Sequence, residues 1–414
     1  MHDSAFARSL RLLATRRFGT FWGASLLSNI GTWAQQVAQP WLLLSLGASP
    51  FWLGLDAFAL GAPIFLLTLV GGAMADRIDR RRVIAGFQSV QMLCPVLLVV
   101  LILTGRTQPW MVVVLSLVVG VTDALSMPSF QSIVPSLVPR EQIPAGIALN
   151  STQFNLSRIL GPSIAGVLMA GAGAAWAFAV SAASYVPFIL VSLWILPRQA
   201  PPPAGPTPAA FDGRQILRSI GEVLREPALR GALLTVFTTS VLCAPLITFC
   251  PILIQAVMAG SIHEFSLSMS AFGVGGLLGA LGLMAVDVRR DRRPISSWLA
   301  VVYGGIVVLT ALNPWPWALP LLFVGAGIAM TASNTCANAL LQLMAHAQLR
   351  GQTVSLFTLA MRGGMSMGSL VTGLSVSSLG VREALLLNGL LAISLQLVLG
   401  HAWRRAALPY AHPD

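Results

Sequence analysis

Two long apolar runs joined by a short arginine-rich loop constrain this chain most. Phe51 to Ala75 carries a single charge, Asp56, and Val83 to Leu103 carries none. Between them stands Asp76-Arg77-Ile78-Asp79-Arg80-Arg81-Arg82. A bilayer core needs about 20 apolar residues per helix, and every backbone polar group inside it must be bonded internally. Two such runs joined this closely therefore form an antiparallel helical hairpin. Its four arginines place the loop on the cytoplasmic side. Gly71 and Gly72 stand one turn before Asp76 and suit close helix packing. Asp76, where one helix leaves the membrane, is placed to hold a neighbouring arginine or the positive N-terminus of another helix.

The same texture fills the chain. Its 414 residues are 56% hydrophobic and only 9% charged, where a soluble protein carries about a quarter charged residues. The chain reads as an all-α polytopic membrane protein. The runs are continuous and not alternating, which excludes a β-barrel. All 25 basic residues are arginine, and the formal net charge is +11. These arginines cluster in short loops between apolar runs. That arrangement serves orientation and contact with anionic lipids, not nucleic acid. Cys94, Cys243, Cys250 and Cys336 all fall inside apolar runs and read as small core residues. The first apolar segment has no cleavage site and reads as a retained signal-anchor. There is no Gly-Lys-Ser phosphate loop, no metal-ligand spacing and no catalytic set, so neither an enzyme nor a cofactor is expected.

Twelve spans are expected, at about 18–46, 51–75, 83–104, 110–132, 147–169, 174–196, 231–257, 264–286, 295–313, 317–341, 352–376 and 380–402, each close to the ~20 residues a bilayer needs. With the N-terminus inside, the inner loops hold Arg77 to Arg82, Arg140, Arg198 to Arg230, Arg289 to Arg293 and Arg350, and the tail adds Arg404 and Arg405. The outer loops hold only Arg106 and Arg382. Both termini are thus expected in the cytoplasm, the first behind a basic amphipathic segment at residues 1–17. Prolines 197, 201, 202, 203, 206 and 208 form an extended linker, followed by an amphipathic segment bearing Ile216, Leu217, Ile220, Val223 and Leu224. This divides the chain into 1–196, a linker at 197–230, and 231–414, with six spans in each outer part. Asp287 to Arg293 follow Gly282 at the same spacing as Asp76 to Arg82 follow Gly71. Two such halves, related about an axis along the membrane normal, form a known transporter plan.

Charge inside the bilayer is expensive and marks function. Asp123 in the fourth span and Arg158 in the fifth both fall near mid-span. Counted from the outer end for the first and the inner end for the second, the helical rise puts them roughly level. Adjacent antiparallel helices could bring them into contact. Arg362 lies at a similar depth in the eleventh span, the counterpart of the fifth. Two readings stand: a salt bridge that locks helices, or a midplane cavity in which Asp123 takes a proton and the arginines favour an anionic or zwitterionic substrate. Asn29, Trp33 and Gln36 in the first span, Asn155 in the fifth, and Asn334 and Asn338 in the tenth either line that cavity or bond helices together. Gly161 and Pro162 allow a bend and close packing. Asp56 reads as solvated near the outer mouth. His263, Glu264 and His346 carry no assigned chemistry.

Gly72-x-x-x-Asp76-Arg77-x-x-Arg80-Arg81 resembles the loop signature between helices 2 and 3 of major facilitator superfamily transporters, with Asp79 where a glycine is usual. Phe154-Asn155-Leu156-Ser157-Arg158-Ile159-Leu160-Gly161-Pro162, with Gly166, resembles the helix 5 signature of the bacterial branch that includes enterobactin and macrolide exporters. Ser28-Asn29-Ile30-Gly31-Thr32-Trp33-Ala34-Gln35 resembles helix 1 of that branch. The Gly-Pro step also partly resembles drug–proton antiporters, although Ala148 and Ser157 replace their earlier glycines. In the fourth span, Ser126 and Phe130 flank Met127-Pro128 where relatives carry an acid and an arginine. The resemblance implies alternating access between two six-helix bundles in a bacterial inner membrane. It also implies proton-driven export of a small molecule, with Gly72, Asp76, Arg77, Arg80, Arg81, Gly161 and Pro162 in the conformational change. The rivals are an uptake carrier or facilitator and a non-transporting membrane binding or scaffold protein. On the exporter reading, Asp76→Asn inserts normally but transports more slowly. Wild-type rates in vesicles would remove Asp76 from the gating mechanism.

Overall fold

The structure is a computed structural model that describes residues 11–196, 221, 225–287, 291–344 and 350–405. The expected linker and its amphipathic segment lie outside these residues, apart from isolated positions. Among the described residues the chain is helical with no strand: α1 (Arg16–Ser45), α2 (Pro50–Gly61), α3 (Pro63–Arg77), α4 (Arg80–Leu103), α5 (Pro109–Ile133), α6 (Ile143–Ala172), α7 (Ala174–Trp194), α8 (Pro227–Leu242), α9 (Pro245–Ile252), α10 (Ile262–Met284), α11 (Arg292–Leu312), α12 (Leu319–Met344), α13 (Arg350–Thr358), α14 (Gly364–Leu379) and α15 (Val381–Arg405). A π turn extends α9 over Leu253–Val257, and a second joins α13 to α14 over Leu359–Gly363. Proline at the first position of α3 and α9 lacks the N–H that would continue the preceding ladder, so two long apolar runs are each divided.

Nine segments among the described residues are long and apolar enough to cross a membrane. The long stretches 16–45, 143–172 and 350–379 are not among them. These stretches carry most of the polar residues singled out above, including Asn29, Gln36, Asn155, Arg158 and Arg362. Serines and threonines in the apolar helices mostly satisfy themselves. Thr32, Ser89, Thr239 and Thr310, for example, each donate to the carbonyl four residues back.

Helix contacts fall into two sets. Within 16–194, α1 packs on α6 and α7, α4 on α5 and α7, and α5 on α2 and α3. Within 227–405, α10 packs on α12, α11 on α12 and α15, and α8 on α12, α14 and α15. The principal contacts between the sets are two seams, α2 with α14 and α6 with α10. Both seams have small residues at close backbone approaches. A Cβ on Gly54 would lie 3.2 Å from Gly373 Cα, and one on Gly166 would meet Ser266 at 2.5 Å. Ser163 and Ser270 share a hydrogen bond of 2.8 Å across the second seam. At the same end Trp41 stacks on Phe265, with centroids 6.0 Å apart.

Among the described residues the principal contacts between the sets stop short of the arginine-rich end. They reach Gly363 against Phe65 on one seam and Arg158 against Gly276 on the other. Beyond these points Ile147 and Phe154 on α6, and Leu281 and Met284 on α10, are exposed. The molecule is closed at the end near Trp41 and parted at the end with the arginine loops.

The two sets echo one another locally. Asp79 caps α4 by accepting from Arg81 N at 3.1 Å, and Asp291 caps α11 by accepting from Arg293 N at 2.9 Å. The same arginines return their side chains to the capping carboxylates at 2.9 Å. The two caps lie slightly further apart in sequence than Gly71 and Gly282, because the second loop is longer. Gly173 and Gly380, with φ of 87° and 99°, end α6 and α14. Aligning these two glycines pairs Gly161 with Gly368. Each packs on a carbonyl of the leading helix of its set, Ile30 O and Val241 O. The same register pairs Arg362 with Asn155 and Arg158 with Met365, so the expected equivalence of the two arginines does not hold.

The packing glycine of the first hairpin is Gly71, whose Cβ would lie 2.8 Å from Ala124 O, while Gly72 has nothing within 4 Å. At Gly161 a Cβ would lie 2.8 Å from Ile30 O and 3.0 Å from Ala34 N. Gly161→Val is therefore expected to lose roughly 1–3 kcal/mol by separating α1 from α6, whereas Gly72→Ala stays within about 0.5 kcal/mol. Thermal melting of both variants in detergent checks this contrast, and equal losses would refute it.

Candidate functional site

Asp123 does not meet Arg158. Its Oδ2 accepts a hydrogen bond from Arg362 Nη1 at 2.9 Å, so the ion pair joins α5 of one set to the π turn of the other. The side chains keep 32% (Arg362) and 46% (Asp123) exposure, so the pair stands in the parted region and is open to exchange. Counting residues gives depth, but it carries no information on which way each helix face turns. The π turn at 359–363 adds to the difference, because it changes the rotation of everything after Thr358.

Arg158 instead occupies an aromatic frame on the other seam. Its guanidinium carbon lies 4.5 Å from the Phe272 ring centroid on α10 and 5.6 Å from that of Trp33 on α1. Phe154 meets Trp33 edge-on at 5.8 Å. Among the described residues no acid pairs with Arg158, and its Nε is buried without a hydrogen-bond partner. Ring faces attract a cation, by ~2 kcal/mol or more when desolvated, but they do not satisfy guanidinium N–H donors. An Arg158 Nη1 and the Thr331 hydroxyl both face Gly276, the one 3.2 Å and the other 3.1 Å from where a Cβ would stand. Asn334 follows one turn after Thr331 on α12 and is buried. The frame presents a permanent cation between flat apolar walls, at the boundary of the closed and parted ends.

The other expected residues divide. Asn29 Nδ2 donates to Gln153 Oε1 at 3.3 Å, which joins α1 to α6. Asn29, Trp33 and Gln36 share one face of α1 by their spacing, and Gln36 is exposed. Asn155 donates to the Ser151 carbonyl of its own helix, and Asn338 accepts from Gln342 of its own helix. Gly161 and Pro162 are buried against α1. In the arginine loop, Arg81 Nη1 reaches the Leu193 carbonyl at the C-terminal end of α7 at 3.2 Å, a favourable place for a cation. Arg80 Nε donates to Ala75 O at 3.4 Å. The link to a neighbouring helix end thus falls to Arg81. The side chains of Asp76 and Arg77 are not among those described. Burial raises the Asp79 and Asp291 carboxyls, yet hydrogen bonds from Arg81 and Arg293 outweigh it and hold both below the ordinary carboxylate range.

Asp56 corrects the sequence reading. It is 8% exposed, not solvated. Gln39 Nε2 donates to its two oxygens at 2.9 and 2.8 Å, and Ser116 Oγ donates at 2.6 Å. Gln35 donates to Gln39 at 3.3 Å, and Ser181 donates to Gln35 at 3.0 Å. The signal in the sequence is Gln35 and Gln39 at i and i+4, inside a stretch with no other reason to carry amides. The four cysteines are buried and free, as core residues.

This geometry, with a few charges held between long apolar helices, is that of a membrane protein. The chain belongs to the family described as transmembrane secretion effector, within the major facilitator superfamily, whose profile matches residues 7–410. It is a multi-pass membrane transporter, not an enzyme. It is 26% identical to the enterobactin exporter EntS of Citrobacter koseri, over 100% of this chain and 99% of that one. It is also 26% identical to the multidrug efflux pump Tap of Mycolicibacterium fortuitum, over 91% and 92%. To the staphyloferrin A transporter of Staphylococcus aureus it is 27% identical over 64% of this chain and 66% of that one. In fold it resembles a bacterial homolog of the human lysosomal transporter Spinster in an inward-facing and occupied conformation, with a TM-score of 0.74, 15% identity, and coverage of 99% and 100%.

If the Asp123–Arg362 pair helps hold this arrangement, each single charge reversal shifts the population away from it and the double reversal restores it. Distances between spin labels at Ile147 and Leu281 report the shift. A double variant no closer to wild type than the singles would show that the pair is uncoupled from the arrangement.

Proposed function

We propose that this chain is a proton-coupled exporter of small anionic or zwitterionic metabolites or drugs, working by alternating access in a bacterial inner membrane. Twelve spans form two six-helix bundles, 1–196 and 231–414, tied by a cytoplasmic linker at 197–230. The arginine-rich end and both termini face the cytoplasm, so this arrangement is the inward-open one. The observation that carries the reading is Arg158. It is a cation between Trp33 and Phe272 with no acid among the described residues to neutralise it, beside the cytoplasmic opening. A substrate anion supplies the missing counter-charge, and the aromatic walls suit flat or apolar substrate bodies. Arg362, already paired, is not the first anion site. Asp123 acts as a proton-linked latch. Protonation would cancel its hold on Arg362, which frees the arginine for a new partner and shifts the population away from this arrangement. Exporter relatives support the outward direction.

Purified protein in vesicles tests this with a panel of aryl carboxylates and their neutral amides. The carboxylates are expected to bind at least tenfold more tightly, and Arg158→Gln to remove that preference, about 1.4 kcal/mol or more. Arg362→Gln should leave carboxylate affinity largely intact and alter the transport rate. Binding confined to lipophilic cations, or an unchanged preference in Arg158→Gln, would overturn the anion reading.

A further inference from the structure

The geometry points to Asp56 as a second proton-binding site, buried at the closed end and distinct from Asp123. It rests on the proton-coupled reading above and adds a site to it. Asp56, on α2, is held by side chains of α1 and α5. Its two oxygens receive Gln39 Nε2 and Ser116 Oγ, and among the described residues no cation pairs with it. An ionised carboxylate at such a place is costly unless it is paired. The elements that pack on α2 offer no partner. On α14 there is no titratable group, on α9 only Cys250, and on α5 only Asp123. Asp123 lies two turns beyond Ser116, ~10 Å along the helix, and is engaged with Arg362. Arg16 and Arg17 on α1, and Asp76 and Arg77 on α3, sit at the far ends of those helices.

The wider setting shows why a proton would be exchanged there and not merely stored. Asp56 is two residues from Gly54, the tight contact between α2 and α14. Gln39, its main donor, is two residues before Trp41, which stacks on Phe265 across the other seam. The acid therefore lies at the depth of the closure, on the face of α2 that turns toward α1 and α5 and away from Gly54 and α14. When the seam opens, water reaches Asp56 and one proton passes from a hydronium ion to a carboxylate oxygen, leaving water. When it closes again the proton is held on the buried carboxyl, and it leaves to water when the site is next exposed. Gln35 and Ser181 extend the hydrogen-bonded chain to α7 and keep the Gln39 amide oriented toward the acid. A purely structural network would need no ionisable member, because an amide pair at i and i+4 bonds helices equally well.

Difference infrared spectroscopy of the full-length protein in lipid vesicles, titrated with pH, tests the site without any substrate. We expect a protonated-carboxyl band that disappears in Asp56→Asn and persists in Asp123→Asn. Ser116→Ala, a variant that keeps the acid, should displace the titration midpoint by about one pH unit. Linking Trp41→Cys to Phe265→Cys by a disulfide should slow hydrogen–deuterium exchange of that band at least tenfold, with reduction restoring it. A spectrum unchanged by Asp56→Asn, or a band lost only in Asp123→Asn, would overturn the proposal and leave proton coupling through Asp123 intact. A band behaving as expected in vesicles that show no proton movement under a pH gradient would support the site while refuting proton-coupled transport.

Discussion

Everything distinctive about this molecule follows from the cost of a charge in hydrocarbon. The chain places almost all its charges in loops, and the few inside are each handled differently. Asp123 and Arg362 neutralise one another across the two helix sets. Arg158 has no acid partner among the described residues and is wrapped by ring faces. Asp56 has no cation partner among them and is wrapped by amide and hydroxyl donors. These are three separate solutions to one constraint, and each leaves something unsatisfied. The ion pair is partly open to water, the guanidinium keeps a buried N–H without a partner, and the carboxylate lacks a counter-charge. Incomplete satisfaction of this kind is what permits a group to change partners during a transport cycle.

The helical architecture is legible from the sequence because a long apolar run in a membrane has one stable form. The loop caps are also legible in kind, since Asp79 and Asp291 stand where a helix N-terminus wants an acceptor. Side-chain pairing is less legible. Counting residues from a helix end gives depth, but the azimuth of a side chain depends on packing and on local departures from regular winding. Arg362 lies in a π turn, and so its direction does not follow from an α-helical count. The same limitation hides the aromatic frame of Arg158, in which Phe272 comes from the other half of the chain. Asp56 misleads for a different reason. Its distance from the helix start suggests water, whereas its burial comes with Gln39 and Ser116, 17 and 60 residues away.

Glycines show a similar division. Gly71 and Gly72 are equivalent on paper, yet only Gly71 faces a neighbouring backbone, the Ala124 and Leu125 carbonyls of α5. Adjacent residues on a helix point about 100° apart, so a doublet identifies a close approach but not which member makes it. The duplicated organisation resolves such ambiguities better than motif matching does. The two C-terminal glycines with positive φ place the fifth- and eleventh-span stretches in register, and that register removes the pairing of Arg158 with Arg362 that depth alone suggests.

The seams explain how a molecule this apolar could move at all. Large interdigitating side chains would commit the two sets to one arrangement, because lipid offers no hydrophobic reward for separating or joining them and only packing is at stake. Here the seams are Gly54, Ser369 and Gly373 on one side and Gly166, Ser266, Ser163 and Ser270 on the other. Small residues let the backbones come close, yet each contact contributes little dispersion energy, and the serine pair across the second seam can rebond to its own helix carbonyls, as Ser163 already does with Ile159. Little is therefore lost at these glycine and serine contacts themselves when a seam opens; the larger cost at the closed end is the buried apolar cluster that Leu53 and Ala165 share with Phe249 and Phe272. The strong polar and aromatic interactions that span both sets are then the Trp41–Phe265 stack at the closed end and, at the boundary of the parted region, the Asp123–Arg362 pair on one seam and Arg158 with Phe272 on the other. A proton or an anion acting on any of these shifts the balance between the parted end and the closed end, where Leu53, Phe249, Phe265 and Phe272 belong to one buried apolar cluster. A single bound charge can thus select between arrangements of so large a molecule.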